Sequence, residues 1–324
     1  MIDKSNMVGA LEDFPSQIDK GFNELATHIK LDGDYSKIVI VGMGGSALPG
    51  DIAKIALADM LDIPILVYKS YELPRYIDSK TLLFVISYSG NTEEALSAYR
   101  IARGKSCKLV VMASGGKLRD MAEADKKPLI LVPSGIQPRQ ALGYMFFAIL
   151  RVIQNAGLIK DQSSDVKRIV EQLKNHEFKM YGEELSTKLV DYTPIIYASE
   201  PMWAVAEAWK IAFNENSKTT AFWNYLPELN HNEMVGWTNP KGNYYLIFIK
   251  EDDCPKDIAK RFKATKELLA KSARTSELLI KGSSKLMKIF TAIYMGYWTS
   301  YFLALKYGTD PTPVDMVEEF KKRI

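Results

Sequence analysis

A chain of 324 residues with 47% apolar and 25% charged residues has an ordinary globular composition and length enough for two cores of about 150 residues each. Its net charge of +3, with acids and bases interleaved, gives no nucleic-acid footprint, no run approaches the ~18 apolar residues of a membrane span, and the acids in MIDKSNMVGALEDFP argue against a signal peptide. Two cysteines, Cys107 and Cys254, lie far apart outside any CxxC spacing and fit a reducing cytoplasm, while three histidines are too few for a convincing zinc site.

In chain order, the N-terminal segment reads as an amphipathic helix that includes His28. Residues 37–41 (KIVIV) are a short apolar run ending in glycines, followed by a helical stretch over about 46–60. Strands at 63–68 (IPILVY) and 81–87 (TLLFVIS) precede a helix over 92–103. Then come a strand at 108–112, a helix near 117–124, a strand at 128–132 and a closing helix over 140–155. Short β-branched runs alternating with helices predict a parallel sheet covered on both faces. The polar stretch 160–165 (KDQSSD) reads as a linker, which divides the chain into domains 1–155 and 156–324.

The second half repeats the pattern more loosely. A strand at 194–198 (PIIYA), a helix over 203–214 and a strand at 244–249 (YYLIFI) lead to a helix over 255–271. A strand at 277–280 and a long helix over 283–306 follow, and Pro311 and Pro313 interrupt before a last helix at 315–323. The predicted fold class is α/β, with two doubly wound domains, each a mainly parallel sheet flanked by helices. The aromatic-rich IFTAIYMGYWTSYFLALKY reads as core or subunit interface, and EEFKKRI as a solvated helix end.

In such sheets ligands bind beyond the carboxyl ends of the strands, where helices begin. Two loops qualify. Gly42-Met43-Gly44-Gly45-Ser46-Ala47 follows KIVIV, and its glycines let the backbone approach an anion near a helix N-terminus. Ser87-Tyr88-Ser89-Gly90-Asn91-Thr92 follows TLLFVIS and offers three hydroxyls to phosphate oxygens, with Thr92 at an N-cap position. Gly42-x-Gly44-x-x-Ala47 also matches the dinucleotide fingerprint. That motif expects an acid about 20 residues on to hold the ribose, whereas the second strand ends Val67-Tyr68-Lys69 with no acid until Glu72.

VGMGGSALPGD and ISYSGNTEEAL together resemble the sugar isomerase (SIS) domain, whose serines and threonine hold a sugar phosphate. PSGIQPRQALGY at 133–144, EAWKIAFNENSKTTAFWNYLPELNHNEMVGW at 207–237 and YGTDPTPVDMVEEFKK at 307–322 narrow this. The chain resembles the bifunctional phosphoglucose/phosphomannose isomerases of the phosphoglucose isomerase superfamily over most of its length. The resemblance implies two SIS domains and an aldose–ketose isomerisation of a sugar phosphate with neither metal nor cofactor. It also implies a homodimer whose site is completed by the partner subunit.

By that analogy Gly45, Ser46, Ser87, Ser89 and Thr92 would grip the phosphate. Glu215 would be the general base, Arg139 would support it and the enediolate, and His231 would assist ring opening. Lys321 would help from the final helix, although Lys322 adjoins it and only one can point at the site. The chemistry asks for these types. One carboxylate can move a proton between C1 and C2, a fixed cation stabilises the enediolate, and imidazole suits proton transfer at the ring oxygen. Asn214 and Asn216 flank Glu215 as candidates to orient it. His231 sits in a polar, non-periodic loop, unlike His28 and His176. Two other readings use the same loops: a non-catalytic sugar-phosphate-binding regulator, and a nicotinamide oxidoreductase.

Overall fold

The computed structural model describes residues 2–323 and divides into two compact units. One is Asp13–Glu171; the other is the rest of the chain, 172 onward together with 1–12. Helix α1 (Met7–Glu12) therefore belongs with the second unit.

In the first unit α2 (Phe14–Lys20) runs into a π-helical stretch, Gly21–Leu25, that ends short of His28. The alternation continues as β1 (Lys37–Val41), α3 (Leu48–Ala56), β2 (Ile65–Tyr68), β3 (Thr81–Ile86) and α4 (Glu93–Ala102). It closes with β4 (Lys108–Ala113), α5 (Gly116–Ala124), β5 (Leu129–Leu131), α6 (Leu142–Asn155) and α7 (Ser163–Leu173). The sheet order is β2-β1-β3-β4-β5 with every pair parallel. Every residue of β3 is buried, which is why its sequence TLLFVI does not alternate: both faces are covered by helices. The chain leaves β1 toward β2 and leaves β3 toward β4, on opposite sides of the sheet. The carboxyl ends of β1 and β3 are thus a topological switch point, where a crevice opens.

The second unit continues with α8 (Glu177–Leu189), β6 (Thr193–Ser199), α9 (Trp203–Glu215), β7 (Phe222–Leu226) and the short α10 (Glu233–Gly236). Then come β8 (Tyr244–Glu251), α11 (Lys256–Leu269), β9 (Arg274–Ile280), α12 (Lys285–Lys306) and α13 (Asp315–Lys321). Its sheet, β7-β6-β8-β9, is also all parallel, with a switch point between β6 and β8. The aromatic-rich helix α12 is core of this unit. Trp209 on α9 donates to the Ala292 carbonyl at 2.8 Å, and a Cβ on Gly182 of α8 would come within 2.5 Å of the Trp298 Cβ. Ser284 caps α12, its hydroxyl accepting from Met287 N at 3.1 Å.

The division differs from the expected 155/156 boundary. The polar linker is tied down: Gln162 N donates to Gln154 Oε1 at 2.8 Å, and α7 then buries Val166 and Ile169. At the other end, Met7 and Leu11 are buried and Glu12 pairs with Lys179 at 2.7 Å, which assigns the first residues to the second unit. Strand β7 replaces part of the expected loop before His231. Its half-exposed FWNYL lies at the sheet edge, so it lacks the apolar run that betrays a central strand. Among the described residues no helix is long and apolar enough to cross a membrane.

Candidate active site

The two loops singled out in the sequence occupy the switch point of the first sheet. Gly42 N donates to the Tyr68 carbonyl at 3.2 Å, anchoring the first loop beside β2. Gly44–Ser46 is a 3-10 turn with Gly44 at φ +50°. A Cβ on Gly45 would come within 2.7 Å of Arg139 N. Only glycine lets this loop close on the 3-10 turn Pro138–Gln140. That turn is fixed in its own right, because Gln140 Oε1 accepts from Gln137 N at 3.1 Å. Arg139, only 2% exposed, is therefore held against the glycine loop.

The second loop presents its hydroxyls in a defined way. Ser87 donates to Thr92 Oγ1 at 2.9 Å. Thr92 stands at the N-cap of α4 with extended backbone, yet its side chain makes no capping bond, so the hydroxyl is committed to the Ser87 pair instead. Ser46 Oγ accepts from Tyr88 N at 3.0 Å and Ser89 Oγ from Asn91 N at 3.3 Å. In both, the O–H proton remains a donor, the polarity an anion requires.

Tyr88 was not among the candidates, yet it organises the crevice. Besides holding Ser46, its carbonyl accepts from Ser114 N at 2.8 Å and Ser114 Oγ at 2.6 Å. Its phenol donates to the Pro133 carbonyl at 2.8 Å and accepts from Ile136 N at 3.4 Å. Burial pushes the phenol pKa up. One residue thus fastens the loops after β1, β3, β4 and β5. The available signal was a large aromatic inside an otherwise small and polar loop.

In the second unit the candidates are dispersed. Glu215 is the last residue of α9, half-buried. The flanking asparagines brace its backbone: Asn214 Oδ1 accepts from Ala221 N at 3.0 Å, and Asn216 Nδ2 donates to Ser300 Oγ at 2.9 Å. Ser217 Oγ donates to the Ser300 carbonyl at 2.8 Å, so the turn is sewn to α12. Because α9 joins parallel strands β6 and β7, it runs against them, and Glu215 lies at the amino edge of the sheet. His231 ends a 3-10 turn after β7, at the carboxyl edge, and is exposed. A strand of five residues at ~3.3 Å each separates the two edges by roughly 16 Å. Glu233 turns inward, accepting from Asn224 Nδ2 at 2.6 Å and from the Tyr197 hydroxyl in a short bond. Lys321 and Lys322 are both exposed, paired one turn back with Glu318 at 2.7 Å and Glu319 at 3.9 Å.

The switch point of the second sheet has another character. Buried Ser199 donates to Glu251 Oε1 at 2.7 Å, and desolvation raises the Glu251 pKa. Lys288, its side chain 7% exposed, pairs with Asp252 at 2.7 Å and Asp253 at 2.6 Å. Among the described residues no cluster of His, Cys, Asp or Glu could hold a metal ion.

Comparison with known proteins gives matches in both halves. Residues 34–130 match the SIS domain model, and residues 178–324 match the model described as bacterial phospho-glucose isomerase C-terminal SIS domain. The chain is 37% identical to the bifunctional phosphoglucose/phosphomannose isomerase of Caldicellulosiruptor bescii, over 98% of each chain. It is 36% identical to the protein of the same name from Aquifex aeolicus, over 90% of this chain and 91% of that one. A D-glucosamine-6-phosphate 4-epimerase from Sulfolobus acidocaldarius is 34% identical over 67% of this chain and 69% of its own. Among solved structures, glucosamine-6-phosphate deaminase from Thermotoga maritima superposes with a TM-score of 0.72 at 16% identity, covering 94% of this chain and 96% of that one. That likeness concerns the fold.

Proposed function

The chain belongs to the family of bifunctional phosphoglucose/phosphomannose isomerases, and on that premise we propose that it interconverts glucose 6-phosphate and mannose 6-phosphate with fructose 6-phosphate. The reaction is a metal-independent aldose–ketose isomerisation through a cis-enediol. The observation that carries this reading is the crevice of the first unit, where Gly45, Ser46, Ser87, Ser89 and Thr92 meet at one switch point with Arg139 against them. Donor hydroxyls and a helix N-terminus suit a phosphate dianion.

In this mechanism the phosphate anchors the sugar while Glu215 takes the proton from one of C1 and C2 and returns it to the other. Arg139 stabilises the negative charge that grows on the enediolate oxygen. His231 and Lys321 serve ring opening, by moving protons at the ring oxygen and the C1 hydroxyl. Glu215 and His231 stand at opposite edges of one sheet, so one copy does not bring both to one sugar. This supports a homodimer whose site is completed by His231 of a second copy. Two cysteines without a disulfide support a cytoplasmic enzyme.

The test is an assay with EDTA present, following fructose 6-phosphate formed from glucose 6-phosphate and, separately, from mannose 6-phosphate. Both are expected to turn over, and Glu215→Gln is expected to lower kcat by about 10²–10⁴-fold with KM nearly unchanged. Full activity in that variant removes Glu215 as base. The epimerase relative favours one second reading, C4 epimerisation of glucosamine 6-phosphate. Turnover of that substrate, with neither hexose phosphate isomerised, would select it.

A further inference from the structure

Lys218 lies in the turn between Glu215 and β7 with a left-handed backbone, φ +55°. Side chains other than glycine and asparagine are uncommon there, and a turn chosen for shape alone takes one of those two. Something must offset the strain. The ammonium donates to the Glu215 carbonyl at 2.6 Å, to the Pro311 carbonyl at 3.1 Å and, more weakly, to the Asn216 carbonyl at 3.4 Å.

These acceptors come from two places. The carbonyls of Glu215 and Asn216 are at the carboxyl end of α9, where carbonyls lack intrahelical donors and a cation is favoured. Pro311 is on the connection between α12 and α13. It is the last buried residue before the C-terminus among the described residues, and α13 itself has no buried residue. The whole segment carrying Thr312, Pro313 and Lys321 is therefore rooted at the residue whose carbonyl Lys218 holds.

We infer that Lys218 is a positioning residue that couples the backbone of Glu215 to the root of the C-terminal segment. It sets the base and the ring-opening lysine in one frame. The inference rests on the reading of Glu215 as the base. Lys218 is not required to touch substrate; its ammonium acts chiefly through the Glu215 and Pro311 carbonyls.

Three variants of the full-length protein test this. Lys218→Met keeps the stem and removes the donors. It is expected to lower kcat about 10–100-fold, the cost of a displacement on the scale of an ångström. KM for the sugar phosphate is expected to change less than about threefold, because uniform binding rests on the phosphate loops. Amide hydrogen exchange over 312–323 is expected to quicken while that of α12 does not. Lys218→Gly suits the left-handed backbone and protects the fold. A residue needed only for the turn would keep or raise activity on this change, whereas a clamp loses as much kcat as in Lys218→Met. Wild-type kcat with unchanged exchange in either variant overturns the inference. Glu215→Gln is measured alongside: if it stays active the base assignment fails, and the exchange of 312–323 still decides whether the clamp exists.

Discussion

The two sheets offer the same scaffold at their switch points and opposite chemistry. After β1 and β3 the chain places glycines and donor hydroxyls, with Arg139 packed behind them. After β6 and β8 it places Ser199, Glu251, Asp252 and Asp253, with Lys288 consumed by the two aspartates. A phosphate entering the second crevice would meet carboxylates and a cation already paired. The fold thus supplies a crevice twice, and a few residues after each central strand set its polarity.

The largest effect that would sharpen this contrast is expected at Gly90. Its φ is +71°, and a Cβ there would overlap the Gly115 carbonyl oxygen. Since both are backbone, Gly90→Ala is expected to cost about 4 kcal/mol or more, measured by urea unfolding. In the matching loop of the second sheet, Cys254→Ala is expected to stay within about 0.5 kcal/mol. Comparable losses would mean that the first loop is not specially constrained.

Ser89→Ala comes next. The side chain is exposed and braces only its own turn, so the melting temperature should hold. Loss of one donor to a dianion is expected to raise KM about tenfold, near the ~1.5 kcal/mol of a charge-assisted hydrogen bond. Ser199→Ala is the control in the acidic crevice, with KM expected unchanged. A rise in KM there would break the proposed division of labour.

The smallest expected effect concerns Glu251. Its pKa is raised by desolvation, and one carboxyl oxygen has no hydrogen-bond partner among the described residues. Between its unfolded and folded pKa values the folded state binds more proton. This group's contribution to stability therefore falls as pH rises through that window. Glu251→Gln, which cannot ionise, is expected to raise the melting temperature at pH 8 and leave it nearly unchanged at pH 4. An equal shift at both pH values would show that the carboxyl does not ionise in the fold.

Much of this molecule was legible in the sequence, because its strands are short apolar runs and its glycine- and hydroxyl-rich loops are contiguous. KIVIV and TLLFVIS each end in the residues that form the crevice, so a local pattern located both strands and the loops that follow them. The position of Arg139 was legible for a similar reason, as a cation between a strand end and a helix start. Strand β7 was not: an edge strand with aromatic and polar residues has neither a continuous apolar run nor clean alternation. The asparagines beside Glu215 pointed to carboxylate orientation, and tertiary packing adds a task the sequence did not show, fastening the turn to Ala221 and Ser300.

By itself the sequence determined the α/β alternation, the two glycine- and hydroxyl-rich loops and their place after central strands, since each depends on neighbours a few residues apart. Only the tertiary structure decided where the units divide, that Tyr88 fastens four loops, and that Glu215 and His231 stand at opposite edges of one sheet. Those facts depend on which strands pair and which way a helix returns. Such relations join residues far apart in the chain, and no local pattern carries them.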